Sequence, residues 1–400
     1  MNSVPRVAFL PDTFHEVNGV AHTSRQFEAF ARRRQIPFLS AHCGPVTETV
    51  QDGPLTVMQF RRGPFSFPLD AMLDYDPFSF RFAGRAMAEL RRFGAELIHI
   101  TGPGDMGTLG CYLSWKLKIP LVISWHTSLH EYAGRRLERT LGFLGPRLSR
   151  TLGTFAERRS LDILGWFYRR AKVVLAPNQE LVQLMRTFTP QPVHLMQRGV
   201  ETDLFTPARR RRTDDTFRIG YVGRLTPEKN VRFLAKIGAA LTSANLRSFE
   251  FRIVGQGSED VWLRANVPNA VLTGVLRGEP LAGEYANMDV FVFPSKTDTY
   301  GNVVAEALAS GVPIVVMPEG GPKFLVESGV TGFVATSGED FVHRVESLML
   351  DRNEQSRMGE AARRFGCTLS WDSVFEKVYA AYRDCLSTSP AIDPVASVKA

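Results

Sequence analysis

The chain has 400 residues, is 44% hydrophobic, and carries 48 Lys+Arg against 41 Asp+Glu for a net charge of +7. That is enough apolar material for two domains with proper cores. The four cysteines, at 43, 111, 367 and 385, show no C-x-x-C pairing, which argues against a disulfide framework or a zinc ribbon. No secretory h-region and no apolar run near the roughly 18 residues of a membrane span is found, so the sequence predicts a cytoplasmic protein that does not cross the bilayer.

In chain order, Val7-Ala-Phe-Leu10 reads as a first strand, followed by the loop Pro11 to Asn18 and a helix near 20 to 33. Gly19 there would let backbone approach a phosphate or an acceptor. Further strands fall near 37 to 43, 97 to 100, 121 to 125, 172 to 176 and 193 to 197, with helices near 79 to 93, 105 to 118 and 178 to 187. The strand at His99 runs into the Gly-rich loop Thr101 to Gly107, and the strand Leu121 to Trp125 ends on His126 and Thr127. In a parallel sheet these loops lie at the carboxyl ends of the strands, where ligands gather. A lone His at a strand end is more often structural. His126 and His130 have the i, i+4 spacing of a metal pair, but no third ligand accompanies them and the segment begins as a strand; no metal is expected.

Charge is uneven. Residues 1 to 195 hold 24 basic and 16 acidic groups, whereas the remainder holds 24 and 25. Within residues 133 to 172 there are 10 basic and 3 acidic groups interleaved with Leu, Phe and Trp. This stretch suits an amphipathic surface for an anionic membrane, with Trp166, Phe167 and Tyr168 at the interface. It also suits a helical hairpin whose apolar face packs on its own domain. No nucleic-acid recognition motif accompanies the charge, so no nucleic-acid partner is expected.

Residues 199 to 215 include Thr206-Pro-Ala-Arg-Arg-Arg-Arg-Thr-Asp-Asp215, too polar for a core, and read as a linker. Beyond it, strands near 217 to 223, 249 to 254, 271 to 275, 290 to 293, 313 to 317 and 332 to 335 alternate with helices, which predicts parallel sheets covered on both faces. Arg218-Ile-Gly-Tyr-Val-Gly223-Arg224-Leu-Thr-Pro-Glu-Lys229-Asn is a strand running into a turn with two cations five residues apart. Two such charges can clamp a diphosphate; a unit pair near 4 Å is worth roughly 4 kcal/mol at an effective dielectric of 20. Val254-Gly-Gln-Gly257 is half of a dinucleotide fingerprint and reads as a turn.

The segment Pro294 to Pro313 is the most informative. Val290-Phe-Val-Phe293 is a buried strand, and Tyr300 to Ser310 reads as a helix closed by Gly311 and Pro313. Free amides at Tyr300, Gly301, Asn302 and Val303, together with the positive end of the helix dipole, make an anion site. Asp298 could accept from sugar hydroxyls, and Glu306, nearly two turns into the helix, from both hydroxyls of a ribose. Alone, the segment would suit an ordinary capped helix equally well.

These motifs resemble retaining glycosyltransferases of family 4, whose signature is an acid, seven residues, then Glu within Glu-Ala-x-Ala-x-Gly-x-Pro. Here they are Asp298 and Glu306-Ala-Leu-Ala-Ser-Gly-Val-Pro313, with Asp in place of the commoner first Glu. Gly-Arg-Leu-x-x-Glu-Lys-Asn at 223 to 230 resembles the family's diphosphate-binding element. The Thr-Asp-Thr-Tyr-Gly-Asn-Val-Val version is similar to the branch containing sulfoquinovosyl diacylglycerol synthases and bacterial α-mannosyltransferases. The resemblance implies the α/β GT-B fold: two Rossmann-like domains with parallel sheets facing across a cleft. It implies domains at 1–198 and 199–370, a helix at 371–387 that packs back on the first domain, and a loose tail at 388–400.

It further implies hexose transfer from a UDP- or GDP-linked sugar to a lipid or glycan hydroxyl, with retention. Arg224 and Lys229 would balance the diphosphate, Asp298 and His126 would orient the sugar, and Glu306 would grip the ribose. Gly19, Gly223, Thr299, Tyr300, Gly301, Asn302 and Val303 complete the donor set, with no cofactor. His99 is expected to be architectural. The rivals are a sugar-nucleotide epimerase on the same paired domains, against which the Gly-Arg-Leu-x-x-Glu-Lys element argues, and a basic non-catalytic binding module.

Overall fold

The computed structural model describes residues 4–16, 19–70, 73–125, 164–244, 248–298 and 300–387, with the backbone alone at 68–70 and 73. The chain forms two compact units, one of residues up to Met196 together with Phe375 onward, the other Gln197–Val374.

In the first unit the strands are β1 (Val7–Leu10), β2 (Phe38–Gly44), β3 (Glu48–Asp52), β4 (Leu55–Arg61), β5 (Phe67–Asp70), β6 (Leu73–Tyr75), β7 (Leu97–Ile100), β8 (Leu121–Ser124), β9 (Val173–Ala176) and β10 (Val193–Leu195). Eight of them form one sheet in the order β10-β9-β8-β7-β1-β2-β4-β3, parallel except for β3, and β5 and β6 make a separate antiparallel hairpin. Strands β1, β7, β8 and β9 are buried along their whole length, as expected of short apolar runs covered by helices on both faces.

The sequence reading missed β3 to β6. Strand β3 is an exposed edge and carries Glu48, Gln51 and Asp52, so it lacks an apolar signature; the Asp52-Gly53 turn, with Gly53 at φ +56°, was the available sign of a hairpin. A second correction concerns the basic stretch. Trp166 is exposed, but Phe167 and Tyr168 lie in the core, Tyr168 stacking on Trp125 at 5.2 Å, so those two rings cannot face a bilayer. Most of the basic run itself, 133–163, and the tail 388–400 fall outside the described residues.

His99 is a core residue. Its ring nitrogens lie 2.6 Å from the Tyr382 Oη and 2.9 Å from the Ser124 Oγ, and burial lowers its pKa to about 3. Phe375 stacks on Phe27 at 4.3 Å, so the last helix, Trp371–Ser387, delivers Phe375 and Tyr382 to the same core.

The second unit is one parallel sheet of β11 (Phe217–Val222), β12 (Phe249–Val254), β13 (Ala270–Gly274), β14 (Val290–Phe293), β15 (Ile314–Val316) and β16 (Gly332–Val334), in the order β13-β12-β11-β14-β15-β16. Counted within this unit the order is 3-2-1-4-5-6, the doubly wound Rossmann arrangement. The chain reverses its winding between β11 and β14, and there the connecting loops part to leave a crevice at the strands' carboxyl ends. The polar segment read as a linker is anchored to this unit. Arg210 and Arg212 each reach the buried Asp289 at 2.8 Å, and Phe205 is buried. The arginines there neutralise an acid that would otherwise be desolvated alone.

Candidate active site

The crevice of the second unit is built from the loops after β11 and β14. The first turns at Gly223 (φ +154°), passes Arg224, and makes a short 3-10 turn, Pro227–Lys229, that stops at Asn230 in the left-handed region (φ +54°). The second runs from Pro294 to Gly301. Three contacts tie them: Asn230 Nδ2 donates to the Pro294 carbonyl (3.2 Å), Thr297 Oγ1 to the Glu228 carbonyl (3.4 Å), and Lys229 Nζ to Asp298 Oδ1 at 2.6 Å. Ser295 Oγ donates to the other Asp298 oxygen at 2.5 Å, and the Asp298 carbonyl accepts from the Gly321 amide at 2.7 Å, so the loop after β15 fixes the acid from behind.

The fit of the first loop explains two glycines. A Cβ on Gly255 would lie 1.9 Å from the Gly223 carbonyl oxygen, and one on Gly257 2.2 Å from that of Leu225. The Val254-Gly-Gln-Gly257 turn therefore packs directly on the Gly223–Leu225 segment.

Gly301, at φ +92°, caps the helix Asn302–Ala309, which begins two residues later than the sequence suggests. Val304 is the first residue to donate back, to the Gly301 carbonyl at 3.0 Å. The amides of Gly301, Asn302 and Val303 have no acceptor among the described residues. This leaves a cluster of N–H donors at the positive end of a helix. The Tyr300 side chain is buried, its Oη donating to the Arg198 carbonyl at 2.7 Å, so only its backbone can meet a ligand.

Not all the expected residues converge. Lys229 and Asp298 touch. Arg224 stands in the same loop but is exposed, with its guanidinium 3.5 Å from Glu228. Glu306 shares the helix with Asn302, yet its carboxylate accepts from Tyr285 Oη at 2.8 Å instead of pointing at Lys229. Burial pushes the Glu306 pKa up to about 7; the Tyr285 hydroxyl opposes the shift and the charge of Glu201 adds to it. His126 and Thr299 lie outside the described residues. Sequence reasoning missed Tyr285 and Ser295. Tyr285 is 21 positions upstream on another helix and carried no local signal, whereas Ser295 stood inside the motif.

In the first unit the reversal of winding falls between β1 and β7. Gly19 opens the helix Gly19–Arg33 after the β1 loop. The carboxylate of Asp12 in that loop accepts from the amides of Gly104 (3.1 Å) and Gly107 (2.8 Å), and a Cβ on Gly104 would sit 2.5 Å from it. Burial and the neighbouring Asp105 push Asp12 up to about 7, while those two amides and Arg62 favour its anion. Arg62 Nε donates to Asp105 at 3.1 Å. Among the described residues no group of three His, Cys, Asp or Glu side chains is placed to hold a metal ion.

Two Rossmann-type sheets, with a cation–carboxylate pair beside free helix amides at a switch point, are the framework of a glycosyltransferase that uses a nucleotide sugar. Comparison with known proteins carries this further. The family description "Glycosyltransferase Family 4" matches residues 62–204, and "Glycosyl transferases group 1" matches 216–351. A GDP-mannose-dependent alpha-mannosyltransferase of Mycobacterium tuberculosis is 31% identical over 309 residues, covering 74% of this chain and 75% of the relative. Sulfoquinovosyl transferase SQD2 of Arabidopsis thaliana is 29% identical over 323 residues, 76% of this chain and 59% of that protein. Among solved structures, sucrose-phosphate synthase of Thermosynechococcus elongatus aligns over 96% of this chain and 100% of its own, with a TM-score of 0.66 at 17% identity. The chain belongs to glycosyltransferase family 4, has the GT-B fold, and has relatives in the mannosyltransferase and sulfoquinovosyl transferase branch its motifs suggested. The epimerase alternative finds no support in these likenesses.

Proposed function

We propose that the protein is a retaining hexosyltransferase that moves a sugar from a nucleoside-diphosphate donor to the hydroxyl of a lipid or glycan acceptor. The names of its 31% identical relatives favour GDP-mannose as the donor. In this reading the donor diphosphate lies over the amides of Gly301, Asn302 and Val303 and draws Lys229 and Arg224 to its oxygens, with Gly223 and Thr299 beside them. Asp298 and His126 hold the sugar, and Glu306 takes the ribose hydroxyls. The bond from the anomeric carbon to the phosphate oxygen breaks as the acceptor oxygen approaches the same face. The departing phosphate accepts the acceptor's proton, so retention follows without a protein nucleophile. The cations matter most at that moment, because negative charge grows on the leaving oxygen. Gly19, which opens the helix after the β1 loop, belongs to the donor set, its lack of a side chain letting backbone approach a phosphate.

The observation that carries the proposal is the Lys229–Asp298 pair at 2.6 Å beside three free helix amides. The test is transfer from GDP-mannose, UDP-glucose and UDP-sulfoquinovose by the wild type and Lys229→Ala. One donor should support transfer with an α product, and the variant should lose at least 100-fold in turnover. Near-normal turnover in a folded variant would remove Lys229 from the site.

A further inference from the structure

We infer that the first unit carries a membrane-docking face that rests on the surface of an anionic phospholipid bilayer. Phe65, Phe78, Phe80 and Trp115 expose 71%, 58%, 47% and 72% of their surface. They do not stand singly. Phe65 and Phe78 meet edge to face at 5.9 Å, and Phe80 packs on Tyr112 at 5.6 Å, which in turn lies 6.1 Å from Trp115. The rings thus form two groups, Phe65 with Phe78 and Phe80 with Tyr112 and Trp115, linked through the chain at Phe78 to Phe80. Exposed rings clustered in this way on a folded domain mark an interaction surface.

The charges beside it define the occupant. Arg61, at the end of β4, is exposed and its guanidinium has no partner among the described residues; Lys116 adjoins Trp115 and is exposed too. Arg61, Arg62 and Arg81 line one pocket of about 610 Å³ with Phe82, whose ring the Arg81 guanidinium covers at 4.2 Å. Arg62 and Arg81 are paired internally, with Asp105 and Asp76, so Arg61 is the cation available to a phosphate. Asp74, an exposed acid on the hairpin, leans on Arg62 at 4.0 Å. Rings that insert at headgroup depth, flanked by cations that meet lipid phosphates, are the composition of an interfacial anchor. No helix among the described residues is long and apolar enough to cross a membrane, so contact of this unit with lipid would be peripheral.

This face deepens the lipid-acceptor reading, but its test uses no turnover, so the two can fail separately. The full chain is floated with vesicles of phosphatidylcholine alone or with 30% phosphatidylglycerol, at low and at high salt. The wild type should float with the anionic vesicles and little with the neutral ones. Combined Phe65→Ser, Phe78→Ser, Phe80→Ser and Trp115→Ser should cut the bound fraction at least tenfold with the thermal melt retained, and Arg61→Glu alone should cut it several-fold. Should the quadruple variant misfold, vesicle-induced blue shift of wild-type tryptophan fluorescence, lost in Trp115→Phe, reads the same contact. The inference is overturned if the wild type does not float at low salt, if the folded serine variant floats as well as the wild type, or if Trp115→Phe leaves the blue shift unchanged. It is also overturned if the serine changes convert a dimer to a monomer, because a second copy would then cover this face.

Discussion

Asp298→Asn separates the two roles proposed for the Lys229–Asp298 pair, because the acid both holds the sugar and occupies the cation that the diphosphate needs. At 2.6 Å the attraction is about 6 kcal/mol at an effective dielectric of 20, before solvent is counted. The two side chains are 14% and 20% exposed, so water screens part of this, and the net hold is nearer the roughly 1.5–3 kcal/mol of a charged hydrogen bond. Neutralising the acid returns that energy to whatever anion takes Lys229 next. Binding of free GDP or UDP should therefore tighten about 10- to 100-fold, since 1.4 kcal/mol is about a decade. Transfer should fall at least 100-fold because an amide oxygen holds the sugar hydroxyls less strongly. Calorimetry with each nucleoside diphosphate gives the first quantity and single-turnover transfer the second. The variant should also melt at lower temperature than the wild type, with the gap narrowing when the diphosphate is added, because the orphaned Lys229 is then paired again. Diphosphate binding that stays the same or weakens in a folded variant would show that Asp298 does not compete for Lys229, and the assignment of that lysine to the diphosphate would fall with it.

Glu306→Gln should weaken donor binding by about tenfold or more while leaving the rate from bound donor close to normal; an unchanged donor Kd would exclude the ribose role. Glu306 has a folded pKa raised to about 7 from 4.5, so between those values the folded chain binds the proton that the unfolded chain has released. Its contribution to stability is therefore most favourable below about 4.5, declines as pH rises, and levels off above about 7, a difference on the order of 3 kcal/mol. Denaturant midpoints across that range should show a shallower decline in the glutamine variant; parallel curves would rule out Glu306 as the titrating group. Gly301→Ala places a Cβ 3.0 Å from Pro322 Cγ at φ +92°, which should cost about 1–2 kcal/mol of stability by melting and weaken diphosphate binding. An alanine variant with unaltered affinity would mean the helix terminus is not where the anion sits.

The second unit is more legible in the sequence than the first, for a physical reason. Its central strands β11, β14 and β15 are short apolar runs buried along nearly their whole length, and even the alternating β12 and the partly exposed edge strand β13 keep mostly apolar residues. In the first unit, β3 faces solvent and β4 alternates, and neither gives the continuous signal of a doubly covered strand. Phe167 and Tyr168 show the same limit from the other side. A basic neighbourhood made them look interfacial, whereas Tyr168 packs on Trp125, more than 40 positions away, and no local pattern announces that contact.

The candidate site divides along the same line. The free amides at Gly301 to Val303 belong to one strand–loop–helix unit, and residue type and spacing are enough to foresee them. Lys229 and Asp298 are 69 residues apart, and what joins them is sheet order. Once β11 and β14 are adjacent strands with the winding reversed between them, their following loops must open side by side. An apolar alternation of strands and helices does not by itself choose 3-2-1-4-5-6 from the other parallel orders; the cation on one loop and the acid on the other are consistent with that choice. Glu306 is the informative exception. Its spacing from Asp298 was visible, but the Tyr285 hydroxyl that holds it comes from a helix on the far side of β14 in the chain. Motif spacing can therefore nominate a carboxylate while leaving open which way it faces.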